Sequence, residues 1–284
     1  MHEENPLTKY YRQPKIFIKL PSKGKFYPQG ALDVSKNKEY PVYPMNAKDE
    51  ILLKTPDALL NGEATVSVIK SCIPSIIDPW EMPSVDLDTV LAAIRIASYG
   101  EGLEINSKCS ECGEENTHIF NLVGFLETNA KVNIKDSITF EDTGLTVYIR
   151  PYSYKELSQV RFKTIEQQNI LKIINNKSLS DEEKIKQFNV SFISLTDLTI
   201  NIIIGCITHI ETADGEKVVN KEHIAEFLNN SSKEYFNKIS ELVKQMKNDV
   251  DIKPTTVSCD NCDHKYEVMF SLDSSNFFNQ GSAS

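Results

Sequence analysis

Two short cysteine pairs carry the strongest chemical signal in this sequence. The pairs read Cys109-Ser-Glu-Cys112 and Cys259-Asp-Asn-Cys262. Each pair is followed by a strand-like segment, at 117–122 and at 265–272. Together the pairs offer four thiolates, which is the number of ligands in a tetrahedral zinc site. We therefore predict that these four cysteines bind one Zn²⁺ and tie the middle of the chain to its end.

The predicted zinc is structural rather than catalytic. Four thiolates fill the coordination sphere, whereas a catalytic zinc keeps one position open for water. Gly113 follows the first pair and suits a tight turn of the backbone. His118 and His264 lie close enough in sequence to replace a cysteine, but we interpret them as side chains beside the site. A metal that closes a loop of about 150 residues stabilises a fold by about 5 kcal/mol at most.

Other interpretations of the cysteine pairs stay open. A single C-x-x-C pair is also typical of redox dithiols, and the two pairs could be unrelated. A thioredoxin-like site is disfavoured because neither pair lies between a strand and the start of a helix. Zinc ribbons also bind nucleic acid, but both pairs have mostly acidic neighbours, which repel phosphate. These neighbours are Glu111, Glu114, Glu115, Asp249, Asp251, Asp260 and Asp263.

Composition limits the class of molecule. The chain has 284 residues, of which 40% are hydrophobic, enough for a sizeable core in one or two domains. Its formal net charge of −9 disfavours nucleic acid and anionic membranes as partners. The most apolar run, at 199–207, is too short to cross a bilayer, and the N-terminus lacks the pattern of a signal peptide. Cys72 and Cys206 lie in apolar helical patterns and are predicted to be buried.

Periodicity and turn residues predict a helix-rich α+β fold. Strand and turn signals cover 14–44, with hairpins at 137–150 and 213–219. Helix starts are indicated at Asn46 and by capping-box patterns at Ser153 and Ser180. The predicted helices cover 46–53, 63–73, 87–98, 153–175, 181–211 and 231–248. Because the strands are short and local, α+β is favoured over a wound parallel sheet.

The cysteine pairs predict a split zinc ribbon, formed by two distant C-x-x-C turns that we call the first and second knuckle. The predicted segments are an extended N-terminal arm with short strands at 1–45, a helical region with the first knuckle and a hairpin at 46–150, an inserted helical domain at 151–250, the second knuckle at 251–274 and a disordered tail at 275–284. The arm is rich in proline and tyrosine. It is either a docking arm or a twisted edge packed on its own domain.

A series of short stretches between Leu20 and the first knuckle carries a family resemblance. They read Leu20-Pro-Ser-Lys-Gly-Lys-Phe-Tyr-Pro28, Tyr43-Pro-Met-Asn-Ala-Lys-Asp-Glu-Ile-Leu-Leu53, Leu59-Leu-Asn-Gly62, Ile69-Lys-Ser-Cys-Ile73 and Leu91-Ala-Ala-Ile-Arg-Ile-Ala-Ser-Tyr-Gly100. This series resembles the baseplate hub assembly proteins of T-even-type, contractile-tailed phages (myoviruses). It covers about a third of the chain. The second knuckle fits the same plan, and the long helical middle shows no likeness.

The resemblance implies a non-enzymatic protein that forms or helps to assemble the central baseplate hub. It implies other hub and tail subunits and the end of the tape-measure protein as partners, with no nucleic acid and no membrane. The implied location is the host cytoplasm during assembly and the baseplate of the virion tail, either as a retained subunit or as a chaperone that is released. The residues agree, because they include no phosphate-binding loop, H-E-x-x-H or G-x-S-x-G motif. The alternatives are a zinc-ribbon nucleic-acid-binding or transcription regulator, and a thiol redox enzyme.

Overall fold

The fold combines helices with short antiparallel strands, as predicted. The structure, a computed structural model, describes residues 5–55, 62–160 and 180–269. The helices are α1 Ala47–Leu53, α2 Glu63–Cys72, α3 Ser84–Tyr99, α4 Leu122–Asn129, α5 Asp181–Cys206, α6 Lys221–Asn230 and α7 Lys233–Asn248, with a helical stretch at 154–160 and 3₁₀ turns at Thr8–Tyr10 and Pro79–Glu81.

The described strands form four small sheets. The strands are β1 Ile16–Ile18, β2 Tyr40–Val42, β3 Gly102–Lys108, β4 Glu115–Asn121, β5 Ser137–Phe140, β6 Leu145–Ile149, β7 Ile207–Glu211, β8 Lys217–Val218, β9 Thr255–Ser258 and β10 Lys265–Val268. β1 pairs with β2, β3 with β4, and β9 with β10, each as a two-stranded sheet. The remaining strands form one sheet in the order β5-β6-β7-β8.

Capping side chains fix the starts of several helices. Asn46 accepts the backbone N–H of Asp49, and the Asp49 carboxylate accepts that of Asn46, both at 3.0 Å. Ser180 begins α5 with the same exchange of hydrogen bonds. Ser153 does so ahead of the stretch 154–160. The predicted starts are confirmed, and each box satisfies backbone donors that lack a partner within the helix.

The chain divides into two compact units, each assembled from separated stretches of sequence. The first comprises Met1–Pro79, Asp86–Val132 and Val250–Ser284, and the second Trp80–Val85 and Asn133–Asp249. The division into five segments stays a prediction. Both knuckles belong to the first unit, although residues of the second unit separate them in sequence.

The core of the first unit surrounds α3. Val90, Ala93 and Ile94 are fully buried on this helix, and Ile69 of α2 and Tyr40 of β2 are fully buried as well. A helix that is apolar on most of its surface needs neighbours on several sides. α3 begins at Ser84, three residues before the predicted start. It ends as predicted before Gly100, which adopts the left-handed conformation.

A buried carboxylate at the start of α3 anchors the turn that follows Leu20. Asp86 accepts hydrogen bonds from the Ser22 N–H at 2.8 Å, the Ser22 hydroxyl at 2.6 Å and the Tyr27 hydroxyl at 3.0 Å. Burial raises the pKa of Asp86 to about 6, although these donors act to lower it. The turn therefore depends on a polar contact deep in the unit.

The second unit is built on the four-stranded sheet. α7 buries Ile239, Val243 and Met246, which lie on one face of the helix. The ring of Tyr235, also on α7, lies 4.4 Å from the ring of Phe140 on β5. Sheet and helix thus share an apolar layer, as a half-buried antiparallel sheet requires.

Several predicted boundaries are wrong or incomplete. The helix predicted for 181–211 ends at Cys206, because residues 207–211 form β7, which pairs with β6. The hairpin predicted at 213–219 contains only β8, and its partner strand is β7. α4, α6, β3 and β9 were not predicted. Most of the helix expected at 153–175 and the tail at 275–284 lie outside the described residues.

Burial agrees with the expectation for the two isolated cysteines. Cys72 and Cys206 are fully buried, and burial raises the pKa of each thiol to about 12. Such thiols are poor nucleophiles and act as small apolar side chains. Across the described ranges, each helix is either too short or too polar to traverse a bilayer.

Candidate metal centre

The four predicted ligands meet at one point. The sulfur of Cys109 lies 3.8 Å from that of Cys262, and the sulfur of Cys112 lies 3.6 Å from that of Cys259. All four sulfurs lie within 4.8 Å of one another. A tetrahedron with zinc–sulfur bonds of about 2.3 Å has edges of about 3.8 Å. A disulfide would need about 2.05 Å, and all four cysteines are free.

The two knuckles share one backbone geometry. The N–H of Cys109 donates to the carbonyl of Glu114 at 2.8 Å, and the N–H of Gly113 donates back to Cys109 at 3.0 Å. In the second knuckle Cys259 pairs in the same way with His264 at 2.9 Å, and Asp263 N–H donates to Cys259 at 3.0 Å.

The fifth residue of each knuckle adopts the left-handed conformation. This residue is Gly113 in the first knuckle, with φ 76°, and Asp263 in the second, with φ 56°. Glycine takes this conformation freely and aspartate at modest cost. The match shows that two different sequences form the same ligand-presenting turn.

A hairpin holds each knuckle at its tip. β3 and β4 pair from Gly102↔Asn121 to Lys108↔Glu115, and the first knuckle joins them. β9 and β10 pair up to Ser258↔Lys265, and the second knuckle joins these. A strand follows each pair as predicted, although β10 ends at Val268 and residues 270–272 of the predicted segment lie outside the described residues. A strand precedes each pair as well. One cysteine of each pair is buried, Cys109 and Cys259, and the other is exposed.

The pKa values of two of the thiols shift in opposite directions. Burial acts to raise the pKa of Cys259, yet the N–H groups of Asn261 and Cys262 donate to its sulfur, and the pKa falls to about 6. The His264 N–H acts to lower the pKa of Cys262, but neighbouring sulfurs, first that of Cys112, raise it to about 12. Four thiolates at this spacing would repel one another. A divalent cation would offset that repulsion and allow all four cysteines to be deprotonated. Donor type, number and spacing therefore fit zinc.

Side chains from each hairpin reach across to the other. Asn116 on β4 accepts the Asp260 N–H at 2.8 Å and donates to the sulfur of Cys259 at 3.6 Å. Tyr266 on β10 shares a hydrogen bond of 2.8 Å with Ser107 on β3. Sequence reasoning missed Asn116 and Tyr266, because their importance appears only when the distant hairpins are brought together.

The two histidines near the knuckles lie beside the sulfur cluster. His118 lies 3.3 Å from the hydroxyl of Tyr266, and His264 lies 3.3 Å from that of Ser110. Among the described residues, the group that could hold a metal consists of the four cysteines without either histidine. The geometry thus agrees with the interpretation that these histidines are neighbours of the site.

Comparison with known protein families assigns the chain to a family. Residues 13–279 match the family model described as T4 bacteriophage base plate protein, a span that includes both knuckles. The chain belongs to the T4 bacteriophage base plate protein family. The resemblance seen in the sequence is thereby confirmed at the level of the base plate family, and the hub role stays a prediction. No curated protein and no solved structure matches this base plate protein.

Family membership supports a structural role in the phage tail. A base plate protein works among other base plate components, so its surfaces are expected to serve protein contacts. The four clustered cysteines give this base plate protein a group able to hold a metal ion.

Proposed function

We propose that this base plate protein forms or helps to assemble the central hub of a contractile tail, and that a structural zinc holds its first unit together. The observation that carries the proposal is a family match across residues 13–279 in a chain whose two knuckles bring four cysteine sulfurs within 4.8 Å of one another. Its partners are other hub and tail subunits, including the end of the tape-measure protein. The protein acts in the host cytoplasm during assembly and in the tail baseplate.

Cys109, Cys112, Cys259 and Cys262 would hold the zinc. When bound, the ion supplies four metal–thiolate bonds and no open position, so its chemistry is structural. The chain supplies the two turns, the hairpins behind them and the donors that hold the sulfurs. We infer from its membership of a base plate protein family that the protein is not an enzyme. The sulfur cluster itself would offer a substrate no open coordination position.

An ordered segment near the N-terminus offers a contact surface. Tyr10, Tyr11 and Phe17 each expose more than half of their surface, at 73%, 57% and 63%. Arg12 fixes the segment, because its guanidinium donates to the carbonyls of Pro44 at 2.6 Å and Ser71 at 2.7 Å. Tyrosine is among the residues enriched at binding hot spots. We propose that this surface contacts a neighbouring base plate subunit.

Cryo-electron microscopy of intact tails tests the proposed function. We expect density for this chain in the hub, with the N-terminal segment at a subunit boundary. In parallel, Tyr10→Ala combined with Phe17→Ala should reduce incorporation into tails. Val219→Ala is the matched control, because Val219 is similarly exposed, at 58%, in the second unit.

Two results would contradict the proposal. One is a location outside the hub, for example at the baseplate rim. The other is salt-sensitive binding to DNA or RNA by the purified protein with no association with tail subunits, which would favour a zinc-ribbon regulator.

A further inference from the structure

Asn116 is the buried polar side chain that connects the two knuckles. It lies on β4 of the first hairpin and is 4% exposed. Its contacts in the second knuckle are 143 and 144 residues away in sequence. A buried amide must form its hydrogen bonds inside the protein, so a partner can be assigned to each polar atom of Asn116.

The orientation of the Asn116 amide follows from its partners. Oδ1 accepts the backbone N–H of Asp260 at 2.8 Å, and a backbone N–H can only donate. Nδ2 donates to the carbonyl of Glu114 at 3.0 Å, and a carbonyl can only accept. The remaining contact of Nδ2, at 3.6 Å, is with the sulfur of Cys259, which therefore faces an N–H donor.

We propose that Asn116 is a positioning residue of the metal centre: it docks the second knuckle on the first and donates to the Cys259 thiolate. This inference rests on the proposed structural zinc. A zinc ion with four thiolates carries a net charge of −2, and a buried N–H donor stabilises that charge. The acceptor half of the amide holds the Asp260 backbone, so one side chain fixes both the turn and the sulfur.

The second hairpin has its own cross-contact at the matching position. Asn116 and Tyr266 each follow the second cysteine of their knuckle by four residues. Tyr266 reaches Ser107 and His118 on the first hairpin, whereas Asn116 reaches the ligand-bearing turn of the second. The two hairpins therefore contact each other from both sides, but only the contact from Asn116 touches a metal ligand.

Two substitutions separate the two halves of the Asn116 amide. Asn116→Ala removes both the acceptor for Asp260 and the donor to Cys259. Asn116→Asp keeps an acceptor for Asp260 but turns a carboxylate oxygen toward the sulfur. Thr117→Val is the matched control, because Thr117 is the exposed neighbour on the same strand and bonds to Asn106.

The first readout is the rate at which the zinc-loaded protein transfers its metal to an excess of chelator. We expect transfer to be at least about tenfold faster in both Asn116 variants, as for other residues that hold metal ligands. The second readout is exchange of the Asp260 amide hydrogen, followed by NMR. Exchange should be faster in Asn116→Ala and remain slow in Asn116→Asp. The control should match the wild type in both.

The outcomes distinguish this inference from the proposed function. Wild-type protein that contains no zinc would contradict the proposed metal, and the inference with it. Zinc-bound wild type with unchanged metal transfer in Asn116→Asp would overturn the inference alone, because that variant keeps the acceptor for Asp260 and loses the donor to Cys259. If Asn116→Ala fails to fold, the rate of metal transfer in Asn116→Asp still tests the inference.

Discussion

At the scale of single residues, Asp86 links a surface turn to the core of the first unit. The turn includes Lys23 and Phe26 in the left-handed conformation, with φ 55° and 71°. Each costs about 1–2 kcal/mol for a residue other than glycine. The hydrogen bonds that Asp86 accepts from Ser22 and Tyr27 hold the turn in place. This turn belongs to the stretch that carries the family resemblance.

The pKa of Asp86 predicts how stability depends on pH. The folded-state pKa of about 6 lies above the usual value of about 3.9 for an unfolded aspartate. The folded state therefore binds its proton more tightly, and the free energy of unfolding should fall as pH rises from about 4 to about 6. Carboxyl ¹³C NMR should show Asp86 titrating near pH 6.

Asp86→Asn is the control for this pH dependence. An amide does not titrate, so the variant should lose this part of the pH dependence, measured by urea unfolding between pH 4 and 7. Titration of Asp86 at the ordinary aspartate value would contradict the prediction.

At the scale of elements, tight turns set the register of the sheet in the second unit. Gly144, in the turn between β5 and β6, has φ 69°, and an added Cβ would lie 2.8 Å from the Cβ of Ala213. Gly215, in the turn between β7 and β8, has φ 88° but open space around it. An alanine at either position would adopt a strained left-handed conformation, but only at Gly144 would its Cβ also meet a close neighbour.

Alanine substitutions separate strain from contact. Gly215→Ala should lower the free energy of unfolding by about 1 kcal/mol through strain alone. Gly144→Ala should lower it by more, about 2–4 kcal/mol, because overpacking is added to strain. Gly124→Ala in α4, where nothing lies nearby, should be neutral or stabilising. Urea unfolding measures all three, and equal effects at Gly144 and Gly215 would contradict the account.

Elements with local signals could be predicted from the sequence, whereas those set by distant partners could not. Asn46 and Ser180 marked helix starts because capping is a local exchange of hydrogen bonds. The end of α5 was misjudged because Ile207 and its neighbours continue an apolar run, and β6 recruits them as a strand. The clustering of the four cysteines was predictable from their C-x-x-C spacing. Asn116 was not, because its partners lie on the other knuckle.

At the scale of the whole molecule, the two knuckles bring together parts of the first unit that lie far apart in sequence. The larger segment of the second unit, Asn133–Asp249, lies between them in sequence. Metal binding is coupled to folding when the ligands come from distant parts of the chain. The stability of the first unit should therefore depend on the metal more than that of the second unit.

Metal removal should destabilise the protein, by up to about 5 kcal/mol in the loop-closure estimate. Cys109→Ser and Cys259→Ser should each lose zinc, because either change breaks the shared site. Cys206→Ala should retain zinc, since Cys206 is buried in the second unit and is not one of the four clustered cysteines. Thermal unfolding with and without chelator, together with elemental analysis, measures these effects. Zinc retained by one of the serine variants at the wild-type level would contradict a shared site.

Zinc K-edge X-ray absorption of the purified protein tests the central claim most directly. One spectrum reports the type, number and distance of the ligand atoms. A zinc ion bound by the four cysteines should give a single shell of four sulfur atoms at about 2.3 Å. Protein that holds no zinc, or a shell in which nitrogen or oxygen replaces sulfur, would contradict it.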